Sequence, residues 1–291
     1  MSYAGWIILT ASLVGISCGL VGSLLVLRRM AMMADAISHT VLLGIVTAFL
    51  ITRELSGIHM LIGAIVAGLL TAILIQWLHS LGVQQEASIG VVFTSLFAVG
   101  VVLIATKVGN AHLDVQHTLM GEITFIPWEQ MSLPWIGEVP EAVFILSIVL
   151  VVVLIAIIGF FKEWKLTSFD PALAASIGIP VVLMHYVFMG LVSVTTVAAF
   201  DAVGAIMVVA MLITPASAAY LWTDRLAIMM GLSGAFGIIA AVSGYYIAVW
   251  LDTSISGSMA FATGLLFMIS FIASPKHGIV ARLRRPTLTS T

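Results

Sequence analysis

Charge is the scarcest property of this sequence. Of 291 residues, 8% are charged and 62% are hydrophobic, whereas a soluble domain carries about 25% charged residues. Long uncharged stretches of this composition mean a polytopic membrane protein. The net charge of −2 offers nothing to attract a nucleic acid. Cysteine is almost absent as well. Cys18 stands alone in an apolar run, which excludes an internal disulfide. There is no G-x-x-x-x-G-K-[ST] phosphate loop, and no lysine follows a glycine, so the chain does not hold ATP by that device. No G-x-S-x-G elbow and no H-E-x-x-H are expected either, and the chain is not read as an enzyme. The N-terminal stretch "MSYAGWIILTASL" lacks the basic n-region of a cleavable signal and runs on too long for one, so it is expected to be a mature span.

What is present is a series of apolar runs. About 20 such residues cross a hydrocarbon core of roughly 30 Å. That rule predicts an all-α transmembrane bundle with spans near 5–27, 35–52, 58–79, 88–106, 142–161, 180–200, 203–222, 226–250 and 257–275. The sixth boundary is weak, because "AAFDAVGA" offers only Asp201 and Gly204 as a break; an eight-span chain with one broken helix is the alternative. Lysine and arginine set the orientation. Nine spans with the N-terminus outside place Arg28, Arg29, Lys162, Lys165, Arg225, Lys276, Arg282, Arg284 and Arg285 in the cytoplasm, against Arg53 and Lys107 outside. Residues 107–141 form a long external connection with Trp128 and Trp135 suited to the interface, and 162–179 a shorter cytoplasmic one. We expect one transmembrane domain over 1–280 and a polar tail over 281–291.

Four stretches invite chemistry. In "RRMAMMADAISHTVLLG", residues 28–44, Asp35 and His39 stand four apart, which puts both on one helix face. An oxygen and an imidazole nitrogen suit a borderline divalent cation such as zinc, manganese or iron. Ionisable groups within a span face a polar cavity, since lipid exposure costs several kcal/mol. The alternative is a hydrogen-bonded pair that packs helices. In "SFDPALAASIGIP", residues 168–180, Asp170 suits an N-cap, Pro171 the first helical position, and Gly178 with Pro180 a stop. A short capped helix in a cytoplasmic loop suggests docking to a partner, where a plain connector needs no cap.

The third stretch runs from 199 to 225. Thr214, Pro215, Ala216, Ser217, Ala218 and Ala219 give a small-residue helix face with a proline, fit either for close packing or for pore lining. Asp201, near the outer surface, is a vestibule acid or a helix N-cap. The fourth is "HLDVQH", whose His112, Asp114 and His117 lie in the long outer loop; a solvated loop of this kind is expected to bind nothing. His185 is read as a packing residue.

The first three of these stretches resemble the ABC-3 family, the membrane subunits of ATP-binding-cassette importers for manganese, zinc or iron. The resemblance extends to "ASIGVVFTSLFAVGVVL" in the fourth span and "GSMAFATGLLFMISFIASPKHGI" near the C-terminus, and covers nearly the whole chain. Carried over by position, Asp35 and His39 match the family's polar pair in the transport path. Asp170, Pro171, Ala172 and Gly178 match its cytoplasmic coupling segment. Where the family commonly has L-F-G-D/N-I after the fourth span, this chain reads "LMGEITF", with Glu122 at the acidic position.

The resemblance implies a multi-pass protein of the bacterial cell membrane, surrounded by lipid. It implies a second permease subunit (identical or paralogous), a cytoplasmic ATP-binding subunit that consumes ATP, and an extracytoplasmic metal-binding protein. No cofactor is bound permanently. The cargo is a divalent metal, manganese first, zinc or iron next. A proton-coupled secondary transporter with Asp35 and His39 as a relay is the rival; it explains the pair but not the capped cytoplasmic helix.

Overall fold

The computed structural model describes residues 2–52, 57–107, 123–128, 130–133, 137–276 and 278. The helices, in chain order, are α1 (Tyr3–Leu27), α2 (Ala31–Thr52), α3 (Gly57–Ser80), α4 (Gln85–Lys107), α5 (Glu141–Gly159), α6 (Phe161–Phe169), α7 (Pro171–Ser176), α8 (Val181–Val203), α9 (Ala205–Trp222), α10 (Leu226–Leu251) and α11 (Ile255–Ala273). Among the described residues, nine of these are long and apolar enough to cross a membrane, all but α6 and α7. The protein is a multi-pass helical membrane protein.

The expected spans fall on these nine helices, with ends moved by about a turn or less. The largest shift is at α2, which starts at Ala31 rather than at 35. Arg29 takes up the turn after α1 in a left-handed conformation, φ 58°, so the apolar residues from Ala31 onward are already helical. The weak sixth boundary is a true break. Gly204, at φ 82° and ψ 163°, ends α8 and opens α9 by itself, a conformation that glycine reaches without steric cost. Asp201 is therefore not an N-cap: it lies in the last turn of α8, and the residue before α9 is Gly204.

Three further features depart from expectation. The outer connection contains a two-stranded antiparallel hairpin, β1 (Gln130–Leu133) and β2 (Gly137–Pro140), with Met131 opposite Val139. The cytoplasmic connection holds two helices, α6 and α7, rather than one. The letters G-x-S-x-G do occur, at Gly15–Gly19, but in the middle of continuous α1, where Ser17 is buried. A nucleophile elbow needs a strained strand-to-helix turn that exposes its serine, so these letters make no hydrolase.

The core is built around α1. It packs against α10, α9, α5 and α8, and buries Ile7, Val14, Cys18, Val21, Leu24 and Leu25 completely. A helix apolar on all sides belongs inside a bundle. Small residues let its neighbours approach. A Cβ added at Gly15 would stand 2.8 Å from the backbone of Gly237 on α10, and one at Gly22 would stand 1.8 Å from the Leu212 carbonyl oxygen on α9. In lipid, close backbone packing of this kind takes over from the hydrophobic drive between helices. On the expected small face of α9, Pro215, Ala216, Ala218 and Ala219 are buried, while Thr214 and Ser217 are half-buried.

Hydrogen bonds tie the two ends of the bundle. At one end the Tyr3 hydroxyl donates to the Thr124 carbonyl, 2.7 Å. At the other, Arg28 reaches Thr167 and Ser168, Ser274 donates to the Leu221 carbonyl at 2.5 Å, and Lys276 pairs with Asp224. With alternating helices, Arg28, Lys162, Arg225 and Lys276 all fall at this second end, as the basic-residue count requires of a cytoplasmic face.

Candidate functional site

Asp35 and His39 occupy the second and third turns of α2. At 1.5 Å per residue, Asp35 is about 6 Å along the axis from the helix start. Their helix is held on both sides. Thr71 of α3 donates to Thr40 across a buried contact of 2.8 Å, and Gly100 of α4 lets that helix close on Leu43. Ser38 and Thr40 are buried and bonded within α2, to the carbonyls of Asp35 and Ile37. They are not available to a ligand.

The pair itself is half-exposed, His39 at 32% and Asp35 at 40%. It faces out beside α4, where Phe93, tilted, and Phe97, edge-on, lie against the His39 ring at centroid distances of 5.2 and 5.8 Å. These two phenylalanines were not anticipated; their i, i+4 spacing on an apolar helix gave no signal. His39 Nε2 stands 3.6 Å from Asp35 Oδ1, too long for a hydrogen bond. Two donors each about 2.1 Å from one ion, at angles of roughly 90–120°, stand about 3.0–3.6 Å apart. The spacing is that of a loose ion pair and is equally open to one divalent ion between the two groups. The polar cavity expected beside the pair is not seen in the largely apolar cavity nearest to it. A cavity of about 400 Å³ between α2 and α3 begins a turn further out, at Leu43, and neither Asp35 nor His39 lines it.

Among the described residues, no three His, Cys, Asp or Glu side chains gather as a metal cluster. Asp35 and His39 therefore stand as a pair, with one side open. His185 lies apart on α8, half-buried, with its ring against Tyr186. His112, Asp114, His117 and Glu122 lie outside the described residues.

The second candidate feature is the capped helix α7, and its local geometry follows its residues closely. Asp170 accepts from the Leu173 backbone N–H at 2.9 Å, and Pro171 opens α7. Gly178 is left-handed, φ 87°; its N–H donates to the Ala175 carbonyl, and that of Ile179 to the Ala174 carbonyl. This is a Schellman stop. Ala172 sits in the first turn, and Ala174 is fully buried. Ala174 therefore offers no outer surface to a partner. The exposed large apolar residues of the segment are Phe169, Leu173 and Ile177, at 57%, 49% and 61%. They are spaced four apart, at an end of the bundle that basic residues mark as cytoplasmic.

Comparison with known proteins agrees with this geometry along the full chain. The sequence profile of the ABC 3 transport family matches residues 2–274. The chain is 55% identical over 285 residues to the manganese transport system membrane protein MntD of Bacillus subtilis (strain 168), covering 98% of this chain and 97% of that protein. It is 42% identical over 277 residues to the zinc transport system membrane protein TroD of Treponema pallidum (strain Nichols), covering 95% and 75%. Its fold superposes on a chain of PsaBC from Streptococcus pneumoniae, solved in complex with a Fab, with a TM-score of 0.81 and 35% identity over 97% of this chain and 96% of that one. A family match of this extent, on a nine-helix bundle with the D-x-x-x-H pair and the capped D-P-A helix in place, has one meaning: the chain belongs to the ABC 3 transport family.

Proposed function

We propose that this chain is the membrane-spanning permease of an ATP-driven importer that carries a divalent transition-metal ion into the cytoplasm. Manganese is the favoured ion, with zinc or iron next. The observation that carries the reading is the Asp35–His39 pair: an oxygen and a nitrogen 3.6 Å apart, half-exposed on a membrane helix, where an unused carboxylate would cost several kcal/mol. The 55% identity to a manganese transport protein supports the choice of ion.

In this reading a metal-binding protein outside delivers the ion. Asp35 and His39 replace part of its hydration shell, while water or a second permease subunit, identical or paralogous, completes it. The site is open and has few ligands, so it binds loosely enough to release. A cytoplasmic ATP-binding subunit docks on α7, which Asp170, Pro171, Ala172 and Gly178 define. The apolar residues Leu173 and Ile177 support docking there, because water is a poor neighbour for them. ATP binding and hydrolysis then move α6 and α7 and switch access from outside to inside.

The test is metal-resolved uptake by the whole complex in liposomes, comparing manganese, zinc and iron with and without ATP. Uptake that needs ATP and prefers manganese is expected. Uptake driven by a proton gradient without ATP would sink the reading and favour a secondary transporter.

A further inference from the structure

Arg28 was read from sequence only as one of the charges that orient the chain. Its surroundings say more. It caps α1, and its Nε donates to Ser168 Oγ at 2.9 Å and its Nη2 to Thr167 Oγ1 at 2.8 Å. Its Cζ lies 4.7 Å from the centre of the Phe188 ring and 5.6 Å from that of Trp164, within the reach of cation–π attraction. Both rings are fully buried. The Trp164 indole N–H in turn donates to the Ala156 carbonyl at 2.9 Å. One guanidinium therefore joins the end of α1 to α6 and α8, and through Trp164 to α5. Burial lowers its pKa to about 10, so it stays charged at neutral pH.

The two hydroxyls that Arg28 holds stand directly before Phe169 and the Asp170 cap, the start of the segment read above as the docking helix. On its other side the chain is equally constrained. Arg28, Arg29 and Met30 bond back to the carbonyls of Leu24, Val26 and Leu25, Arg29 is left-handed, and α2 begins at Ala31. A displacement of α6 thus has a short, stiff path to Asp35, seven residues beyond Arg28.

We propose that Arg28 is the positioning residue that links the α6–α7 segment to the α1–α2 turn, and so to the aspartate–histidine pair. It touches no cargo. Its partners are neutral hydroxyls rather than carboxylates, so the link can break and re-form in a cycle without stranding an opposite charge. Lysine would keep the charge but not the planar fork that bonds two hydroxyls while lying over two rings. The inference rests on the reading of this chain as an ATP-driven permease.

The test uses the assembled complex with its ATP-binding subunit in liposomes, with manganese as the cargo. With Arg28→Met, the amount of complex and its ATP hydrolysis should stay near the original, while manganese carried per ATP falls roughly tenfold, within the usual range of intersite couplings. Arg28→Lys should recover part of the loss. If Arg28→Met does not assemble, Thr167→Val with Ser168→Ala removes the same two bonds and should give the same split.

A second measurement needs no transport. Met32 is 58% exposed in the first turn of α2, and Cys18 is buried. Labelling of Met32→Cys in a Cys18→Ala background should change on nucleotide binding, and the change should vanish with Arg28→Met. Transport per ATP at the original level in the Arg28 and hydroxyl variants, or a nucleotide response of Met32→Cys that is the same without Arg28, overturns the inference. Absence of ATP-driven uptake in the unmodified complex overturns the transport reading instead, and the labelling response then decides the link by itself.

Discussion

α1 and α2 are joined by three residues, Arg28 to Met30, and both cross the bilayer, yet they meet opposite demands. Two thirds of α1's apolar window is inside the bundle, 67%, and its backbone touches α9 and α10 through glycines. Beyond Tyr3 at its outer end, its one titratable group is a buried thiol. α2 is also well packed on one side, through Thr40 and Gly44, but it turns a carboxylate and an imidazole outward at 40% and 32% exposure. The difference teaches where stability and chemistry are kept apart: close packing fixes the frame, and the ionisable pair is placed where the frame leaves an open face.

The largest expected effect breaks the α1 side. Gly22→Ala puts a methyl group 1.8 Å from a backbone carbonyl, and forcing the helices apart should cost about 1–3 kcal/mol or more. Gly231→Ala, on α10 with nothing within 4 Å, should be neutral or stabilising by about 0.5–1 kcal/mol. Thermal unfolding of the two purified variants in detergent measures the contrast; equal melting would mean that the glycine seam carries no weight.

On the α2 side the pattern should reverse. Asp35→Asn and His39→Ala should leave folded protein near the original amount while uptake per complex falls roughly tenfold or more, equivalent to about 1.4 kcal/mol or more. The double variant should be little worse than the worse single one, since groups that share one ion are not additive. Loss of protein in proportion to loss of uptake would instead mark the pair as packing.

A smaller effect separates the two faces of α7. Leu173→Arg should weaken binding of the ATP-binding subunit without harming insertion, whereas Ala174→Arg buries a charge and should reduce folded protein first. Co-purification of the subunit against total membrane protein distinguishes them. Asp170→Ala is the mildest, removing a cap worth about 0.5–2 kcal/mol. It should lower ATPase stimulation only in part, and full loss would mean that Asp170 does more than cap.

The sequence made the nine helices legible because run length and charge placement act directly on a chain in lipid. The α7 geometry was legible for a related reason: Asp, Pro and Gly at fixed offsets each satisfy a local backbone need. What escaped were contacts between distant elements. Nothing near Ala174 says that it turns inward, nor does anything near Arg28 name Ser168 and Trp164 as its neighbours. Phe93 and Phe97 look like any apolar residues until they lie beside His39. The β1–β2 hairpin was missed because a loop rich in proline and tryptophan carries no clear two-residue period. That Asp35 and His39 share a helix face was legible from their spacing; their half-exposed setting was not, because it depends on where α4 lies.

The approach of Gly22 to Leu212 has a consequence for motion. If α1 slid along α9 by one turn towards its N-terminus or its C-terminus, residues three or four positions from Gly22 would meet that carbonyl; Leu25, Val26 and Cys18 do not fit where a bare Cβ already clashes, and only Gly19 would. The Gly15–Gly237 contact adds a like restriction against α10. Shear between these three helices is therefore opposed, and movement of the three together is favoured. Any rearrangement of the bundle has to be taken up elsewhere, with the single-residue joint at Gly204 and the paired helices α6 and α7 as the places where the chain can bend.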